Sequence, residues 1–449
     1  MRISFPAAES RYPGASGRTG RAPGRRAFPG RAGAVGQRGA EVERTYRNAG
    51  ASRRSTAPRT LHLIRPALYI SCYFTLFISI VMLIPAVVDL ADGNDNWKIF
   101  FRSAMGVFIV SLMGVFALRQ PLPKFSPRFG FMLTTMLWVV SSFMSAIPIY
   151  LSPLGATPAE AFFEATSGLT TTGATVLAGL DMMPRSVLLW RSLLQWLGGI
   201  GIIAIGLFLF PFLRIGGMQF FRTESSDRSD KTLPRMAQIT RALLIIYVLM
   251  TAICAIVYAS FGMSGFDAVN HAMTTISTGG FSTHDRSFGF FQDQRLMWTA
   301  VVFMILGALP FVLYVDILVR GRFTLYRDPQ TRVFLAIMLI VSICLAVWLE
   351  STRNIEFHQA LTQSVFNVVS VITTTGYASD DYAVWGPFAF GVFFILTFFG
   401  GCSGSTTGGI KIYRFIIVAQ ALRRAFVRLV YPDAVVPMRF GNRLIEQDI

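Results

Sequence analysis

Three short polar runs, each containing glycine, lie where an apolar stretch of the chain stops. They are Thr170–Ala174 (TTTGA), Ser277–Phe281 (STGGF) and Thr373–Tyr377 (TTTGY), at nearly equal intervals. A Thr-Gly hairpin between membrane helices can aim carbonyl oxygens at a dehydrated potassium ion. Glycine accepts the positive φ that such a turn needs, at no steric cost. The recurrence predicts a repeated structural unit, and the residue types predict ion conduction.

The composition predicts that these runs lie inside a membrane. Of the 449 residues, 53% are hydrophobic and only 14% are charged, whereas about a quarter of the residues of a soluble protein are charged. Stretches of about 20 apolar residues can cross a bilayer. The predicted spans are Pro66–Leu90, Ser103–Leu118, Phe129–Leu151, Ser186–Leu213, Ala242–Phe261, Leu296–Val319, Val333–Leu349 and an interrupted span from Ala383 to about Ala425.

A short helix is predicted before each polar run, at Ala159–Leu169, Phe266–Ile276 and Phe357–Ile372. These helices are too short to cross a bilayer, so each must enter and return on the same side. Their C-terminal ends carry partial negative charge, which favours a cation at the turn. The predicted ion-binding residues are Thr171, Thr172, Gly173, Ser277, Thr278, Gly279, Thr374, Thr375 and Gly376.

A polar residue lies nine positions before each of these glycines: Glu164, Asn270 and Asn367. A polar side chain at that depth is most simply a hydrogen-bonding support for the hairpin behind it. Direct ligation of the ion by these side chains is the alternative.

A glycine-rich segment interrupts the last apolar stretch. Its sequence differs from a phosphate-binding loop because Ile410 separates Gly409 from Lys411 and no Ser or Thr follows the lysine. We predict a flexible break that opens and closes the ion path, since glycine, serine and threonine have low helix propensity. The predicted gate residues are Gly400, Gly401, Ser403, Gly404, Ser405, Thr406, Thr407, Gly408, Gly409 and Lys411. Lys411 and Arg414 would add an electrostatic barrier, although Arg414 could equally be an interfacial anchor.

The net charge of +17 is distributed by side of the membrane. Basic residues gather in segments that fall on one face: Arg119, Lys124 and Arg128; Arg214, Arg222, Arg228, Lys231, Arg235 and Arg241; Arg320, Arg322, Arg327 and Arg332; and Lys411 to Arg443. The positive-inside rule makes this face cytoplasmic. We therefore predict an N-terminus in the cytoplasm of a bacterial cell and insertion into the inner membrane.

Residues 1–60 hold 13 Arg, no Lys and three Glu, and they are rich in glycine, proline and alanine. This composition predicts disorder. The extension could be a transit peptide or an arm for anionic lipid or nucleic acid. We favour an over-long start site, and we expect no nucleic-acid partner.

The remaining chemistry is sparse. The cysteines (Cys72, Cys254, Cys344, Cys402) and the histidines (His62, His271, His284, His358) have no metal-ligand spacing. No catalytic triad or paired carboxylates appear in the spans. We therefore predict a protein that is not an enzyme and that has no cofactor, with K⁺ as its only metal and as the transported ion.

The sequence resembles the Trk/Ktr/HKT superfamily of potassium transporters, most closely its bacterial Trk-type membrane subunits. The resemblance is carried by Phe162–Thr175 (FFEATSGLTTTGAT), Trp196–Gly201 (WLGGIG), Gly216–Gln219 (GGMQ) and Gly400–Lys411 (GGCSGSTTGGIK). It implies a homodimer, cytoplasmic nucleotide-binding regulatory subunits of the TrkA-like type, and preference for potassium over sodium where each filter has its glycine. It also implies four pore repeats, whereas this sequence contains three.

The predicted fold is an all-α membrane protein with two preliminary helices and three helix–pore loop–helix repeats around a pore axis. The predicted parts are the extension 1–60, the preliminary helices 61–120, repeats at 128–214, 240–320 and 332–425, a cytoplasmic loop 215–239, the gating loop 400–411 and a basic segment 426–449. The predicted function is potassium uptake, either passive or by symport. A truncated, non-conducting remnant that scaffolds regulatory subunits is the alternative.

Overall fold

The computed structural model describes residues 61–121, 123, 126–213, 232–321, 325–440 and 443–444. The predictions for the extension 1–60, for Gly216–Gln219 and for most of the loop 215–239 lie outside this part of the chain. The described residues are almost wholly helical, which confirms the all-α class. Within them, the only sheet is the antiparallel pair of β1 (Arg439–Phe440) and β2 (Arg443–Leu444).

The described part of the chain contains fourteen α-helices. They are α1 (Leu61–Val81), α2 (Leu83–Ala91), α3 (Trp97–Ala117), α4 (Pro127–Leu151), α5 (Pro158–Leu169), α6 (Arg185–Leu213), α7 (Thr232–Ser260), α8 (Gly265–Ile276), α9 (Gln294–Ala308), α10 (Phe311–Arg320), α11 (Pro329–Arg353), α12 (Phe357–Ile372), α13 (Pro387–Leu396) and α14 (Ile412–Val430). By length and composition, six described spans can cross a membrane, and a seventh forms if α9 and α10 count as one.

The short helices α5 and α8 begin at side-chain caps. Thr157 accepts a hydrogen bond from the Glu160 amide at 3.3 Å, and the Glu160 carboxylate accepts one from the Thr157 amide at 2.8 Å. This capping box, with Pro158 at the first helical position, fixes where α5 starts. Ser264 caps α8 by accepting from the Asp267 amide at 3.1 Å.

Glycines let the long helices pass close to the ends of the short ones. An ideal Cβ on Gly198 of α6 would lie 1.9 Å from the Leu169 carbonyl oxygen at the end of α5. On Gly307 of α9 it would lie 3.0 Å from the Ile276 oxygen at the end of α8. Small residues allow such backbone approach between membrane helices, so these glycines position the turns that follow α5 and α8.

The span predicted at Leu296–Val319 is broken, which corrects the prediction of a continuous helix. The chain bends by 88° between α9 and α10. Pro310 lies at the bend and has no amide hydrogen to continue the helical pattern. The Ala308 oxygen, left free by the break, accepts a hydrogen bond from the Cys402 amide at 3.0 Å. The break therefore receives the glycine-rich segment that follows α13.

Two clusters of buried apolar side chains hold these helices. One is built mainly from α1–α6 and the other mainly from α7–α14. Trp196 of α6 packs against both. The polar runs that follow α5, α8 and α12 lie among these helices, since Leu169, Ile276 and Ile372 are fully buried.

Candidate functional site

The three polar runs, called hairpins 1, 2 and 3 below (Thr170–Ala174, Ser277–Phe281 and Thr373–Tyr377), share one backbone conformation. In each, the second residue is a threonine with positive φ: Thr171 (56°), Thr278 (50°) and Thr374 (57°). Two residues later comes a glycine with positive φ: Gly173 (80°), Gly280 (77°) and Gly376 (85°). A left-handed threonine costs about 1–2 kcal/mol and persists only where its surroundings impose it. Because the same strained conformation occurs in all three hairpins, we infer that the three have the same role.

Hydrogen bonds fix the correspondence between the hairpins. The amides of Thr172, Gly279 and Thr375 each donate, at 2.9 Å, to a carbonyl five residues earlier. Gly279 therefore matches Thr172 and Thr375, and Gly280 matches Gly173 and Gly376. The prediction that Gly279 is the equivalent glycine of hairpin 2 is wrong by one residue, because a glycine pair occurs there and only one member has positive φ.

The supports behind the hairpins need the same correction. The Glu164 carboxylate accepts from the Val176 amide at 3.2 Å, and Asn367 Oδ1 accepts from the Ser379 amide at 3.3 Å. The corresponding residue of repeat 2 is His271, whose Nε2 lies 3.0 Å from Ser282 Oγ. Asn270 instead donates to the Phe266 oxygen of its own helix at 2.8 Å, so it does not support the returning strand.

The hairpins lie against one another in chain order. An ideal Cβ on Gly173 would lie 2.1 Å from the Gly279 oxygen, and one on Gly280 would lie 1.8 Å from the Thr375 oxygen. No side chain fits at either position, since a real Cβ does not approach a carbonyl oxygen so closely. Around Gly376 the corresponding position has no atom of the described residues within 4 Å. Backbone oxygens of neighbouring hairpins thus gather in one small region.

An ion pair of α6 and α5 ties hairpin 1 to hairpin 2. Arg191 Nε lies 2.7 Å from Glu164 Oε1, and both side chains are buried, with 1% and 0% exposure. Arg191 also donates to the Ser282 oxygen at 2.9 Å and to Thr175 Oγ1 at 3.2 Å. Thr175 follows hairpin 1 and Ser282 follows hairpin 2, so one guanidinium holds the chain segments that leave both hairpins.

Gln195, one helical turn after Arg191, brackets hairpin 2. Its Nε2 donates to the Gly279 oxygen at 2.7 Å, and its Oε1 accepts from the Phe281 amide at 3.0 Å. The side chain is fully buried. Neither α6 residue was predicted from the sequence, although a charged residue inside a predicted span is costly in a membrane and is itself a functional signal.

Tyr377 ties hairpin 3 to α8. Its hydroxyl donates to the His271 oxygen at 3.1 Å and lies 3.2 Å from Thr275 Oγ1. The side chain is 1% exposed and packs against the His271 ring. Hairpin 2 is therefore held from both sides, by α6 and by hairpin 3.

The segment Gly400–Lys411, the intramembrane loop, is seated in the bend between α9 and α10. The Cys402 amide donates to the Ala308 oxygen and the Phe311 amide donates to the Gly404 oxygen, both at 3.0 Å. The loop closes on itself where the Gly400 amide donates to the Ile410 oxygen at 3.0 Å. Ser405, Thr406 and Thr407 are buried. The loop is an ordered plug of polar backbone among apolar helices.

The loop touches hairpins 2 and 3 directly. Thr406 Oγ1 lies 3.0 Å from Thr278 Oγ1, and the Gly408 amide donates to Thr374 Oγ1 at 2.8 Å. Within the loop, the Lys411 ammonium donates to the oxygen of Thr407 and, at 3.0 Å, to its hydroxyl. A positive charge is thus held beneath the hairpins.

Two other polar residues bear on the predicted gate. Gln330, near the start of α11, accepts from the Ser403 amide at 2.9 Å and latches the loop to that helix. Arg414 is exposed, and its Nε reaches the Tyr413 hydroxyl at 3.4 Å. This position suits interfacial anchoring better than a barrier inside the path.

Two aspartate side chains clasp the connections that follow hairpins 1 and 2. The Asp285 carboxylate accepts from the amides of Gly179 and Leu180 at 3.0 and 3.1 Å. His284 Nδ1 lies 2.5 Å from Asp181 Oδ1. This hydrogen bond holds the pKa of the Asp181 carboxyl below its usual range. These contacts hold together the chain segments that follow hairpins 1 and 2.

The oxygens around the hairpins come from backbone carbonyls and hydroxyls. Within the described residues, no group of three or more His, Cys, Asp or Glu side chains could hold a metal ion. Neutral oxygens of this kind suit a transient, weakly held monovalent cation better than a resident divalent metal.

Comparison with known proteins identifies the family. Residues 97–449 match the family described as cation transport protein, TrkH. The chain is 42% identical over 392 residues to the Trk system potassium uptake protein TrkI of Halomonas elongata, covering 87% of this chain and 79% of that protein. It is 35% identical to TrkH of Escherichia coli K12 over 374 residues, covering 82% and 77%.

A solved structure agrees with these matches. The crystal structure of the potassium transporter TrkH from Vibrio parahaemolyticus superposes with a TM-score of 0.79 at 32% identity, covering 86% of this chain and 80% of that one. The resemblance predicted from the motifs is confirmed, as is the prediction of a membrane transport protein and not an enzyme. The chain belongs to the TrkH family of cation transport proteins.

Proposed function

We propose that this protein carries potassium across the bacterial inner membrane through a filter formed by hairpins 1–3. The relatives named above are potassium uptake proteins or transporters. One observation in this chain carries the proposal: the hairpins repeat the same strained backbone and abut through their carbonyl oxygens. Backbone and hydroxyl oxygens in such an array replace the water shell of the ion. The C-terminal ends of α5, α8 and α12 add partial negative charge there.

The proposed ion-binding residues follow the structural correspondence. They are Thr171, Thr172 and Gly173; Thr278, Gly279 and Gly280; and Thr374, Thr375 and Gly376. Ser277 corresponds to Thr170 and Thr373, which are the C-cap residues of their helices. We therefore propose that Ser277 caps α8 and does not bind the ion. Glycine at all three positions of positive φ supports preference for potassium over sodium, as the family resemblance implies.

The intramembrane loop is proposed as the gate. Its contacts with hairpins 2 and 3 support a closed position directly beneath the filter. The Lys411 ammonium adds a repulsive charge for any cation that leaves the filter. Glycine and hydroxyl residues give the loop other hydrogen-bonding arrangements once it leaves its seat.

The remaining proposals concern topology and partners. The basic segments support a cytoplasmic N-terminus and a cytoplasmic α14. By family resemblance we propose a homodimer that binds a nucleotide-binding regulatory subunit of the TrkA-like type. Symport, the coupling of potassium uptake to a second ion, is also kept as a proposal.

Replacement of Gly173 by Ser tests the filter. The Cβ would meet the Gly279 oxygen at 2.1 Å in a backbone with φ of 80°. Left-handed strain alone costs about 1–2 kcal/mol, which corresponds to a factor of about 5 to 30, so we expect the rubidium-over-sodium preference to fall by at least about fivefold. The matched control is Gly155→Ser, which also has positive φ (68°) but lies in an exposed turn with no atom within 4 Å.

The measurement is uptake of ⁸⁶Rb⁺, with and without competing sodium, in a bacterial host that lacks its own potassium uptake. Equal selectivity in Gly173→Ser and Gly155→Ser would refute the filter. Absence of uptake in the parent chain, expressed and folded in the membrane, would favour the non-conducting scaffold.

A further inference from the structure

The intramembrane loop occupies hydrogen-bonding groups that belong to the proposed filter. Thr278 and Thr374 hold corresponding positions, each with positive φ directly after the residue that ends its helix. The Thr278 hydroxyl donates to Thr406 Oγ1 of the loop at 3.0 Å, whereas Thr374 Oγ1 accepts from the Gly408 amide of the loop at 2.8 Å. These are the hydroxyls at the end of the hairpins that faces the loop.

Hairpin 1 provides an internal contrast. Thr171 has the same backbone conformation as Thr278 and Thr374, but its hydroxyl makes no hydrogen bond with the intramembrane loop, all of which lies in the described part of the chain. Loop contact is therefore not a general consequence of the hairpin fold. It is specific to two of the three equivalent threonines.

The loop presents positively polarised groups to this end of the hairpins. The Gly408 amide hydrogen points at Thr374 Oγ1, and the Lys411 ammonium is bound to Thr407, next to Gly408. An oxygen lone pair that accepts from an amide cannot also face a cation. A cation placed there would in addition be repelled by the amide hydrogen and by the ammonium.

We propose that the seated loop and a permeating cation compete for the hydroxyl oxygen of Thr374, while the hydrogen bond from Thr278 to Thr406 helps to hold the loop in its seat. The proposal rests on the filter assignment above and adds a thermodynamic consequence. Because the two occupants exclude each other, binding of the cation shifts the loop toward release, and release of the loop raises the affinity for the cation by the same factor. The transported ion is then itself an effector of the gate.

Cys402 provides a native reporter of loop release. It lies in the loop, is fully buried, and its amide is bound to the Ala308 oxygen. Its thiol can react with a water-soluble maleimide only when the loop leaves its seat. The experiment uses the full chain in detergent or nanodiscs and measures the labelling rate of Cys402 by peptide mass spectrometry. Potassium chloride is titrated against N-methyl-D-glucamine chloride at constant ionic strength.

We expect potassium, but not the bulky organic cation, to accelerate Cys402 labelling in the parent chain. Thr406→Val removes the hydroxyl that accepts from Thr278 and donates to the Gly307 oxygen at 3.1 Å. It should raise the potassium-free rate at least about fivefold, the factor that corresponds to one ordinary hydrogen bond. Thr406→Ser keeps the hydroxyl and should label like the parent. Thr134→Val, whose hydroxyl donates within its own helix α4 to the Gly130 oxygen at 2.9 Å, should leave the potassium-free rate unchanged.

A labelling rate that ignores potassium would overturn the competition, as would equal potassium-free rates in Thr406→Val and the parent. If Thr406→Val does not fold, the potassium titration of the parent and of Thr374→Val decides, since Thr374→Val should also label faster without potassium. Rubidium uptake is measured in parallel. Uptake with potassium-independent labelling rejects this proposal alone, whereas potassium-dependent labelling without uptake rejects only the transport function.

Discussion

Loss of the Arg191 guanidinium should strongly destabilise the protein and reduce its preference for rubidium over sodium. Arg191→Met keeps a side chain of similar length but removes the guanidinium. That group binds Glu164 at 2.7 Å, the Ser282 oxygen at 2.9 Å and Thr175 at 3.2 Å. Removing one partner of a buried ion pair costs about 3–5 kcal/mol, because the other charge stays buried and unpaired. Glu164 keeps hydrogen bonds from Thr175 and Val176, so we expect about 3 kcal/mol.

The assay is the free energy of unfolding in mixed micelles, with ⁸⁶Rb⁺ uptake against sodium as the second measurement. The matched control is Arg185→Met on the same helix, whose partner Asp92 lies 3.2 Å away in an exposed pair. Exposed pairs contribute about 0–1 kcal/mol, so this variant should resemble the parent in both measurements.

A double variant separates charge from packing. Glu164→Gln combined with Arg191→Met removes both charges and should recover most of the lost stability, since the cost of the single change is mainly an uncompensated carboxylate. If the double variant were as unstable as the sum of the two single variants, the charge argument would fail. Equal stability of Arg191→Met and Arg185→Met would refute it as well.

Three further outcomes follow from other contacts of the site. Lys411→Met should increase ⁸⁶Rb⁺ leak in proteoliposomes by removing the positive charge beneath the hairpins, while Lys411→Arg should not. Gln195→Leu leaves the Gly279 oxygen and the Phe281 amide without their partner; it should cost about 1–3 kcal/mol of unfolding free energy and lower the rubidium-to-sodium uptake ratio. The pKa of Asp181 is lowered by the hydrogen bond from His284, so its stabilising contribution is present above the unfolded value and is lost as pH falls through the folded one. Stability measured below about pH 4 should therefore fall less steeply in Asp181→Asn than in the parent.

The short helices and their turns could be located from the sequence because their signals are local. Helix α12 spans Phe357–Ile372 as expected, and α5 and α8 each begin one residue earlier than expected. An apolar run too short to cross the membrane and the Thr-Gly turn that ends it lie within one short segment. No distant contact is needed to recognise them.

The partners of the hairpins could not be predicted, since they depend on contacts between distant parts of the chain. Arg191 and Gln195 are visible as polar residues in an apolar run, but nothing in that run shows that they bind Ser282 and Gly279. The bend at Pro310 is equally non-local, because the loop that fills it follows some ninety positions later, with Cys402 bound to Ala308.

The one-residue error in hairpin 2 shows why composition alone does not determine a filter. Gly279 and Gly280 are adjacent glycines required for different reasons. At Gly280, positive φ and a Thr375 oxygen 1.8 Å from an ideal Cβ exclude any side chain, whereas at Gly279 the obstacle is the carboxamide of Gln195 at 2.4 Å. Hairpin 2 contacts hairpin 1 through the Gly279 oxygen and hairpin 3 through Gly280. Arg191, Gln195 and the intramembrane loop also bind hairpin 2 or the segment that follows it. A displacement of hairpin 2 must therefore move both neighbouring hairpins, whereas a displacement of hairpin 1 need not move the loop.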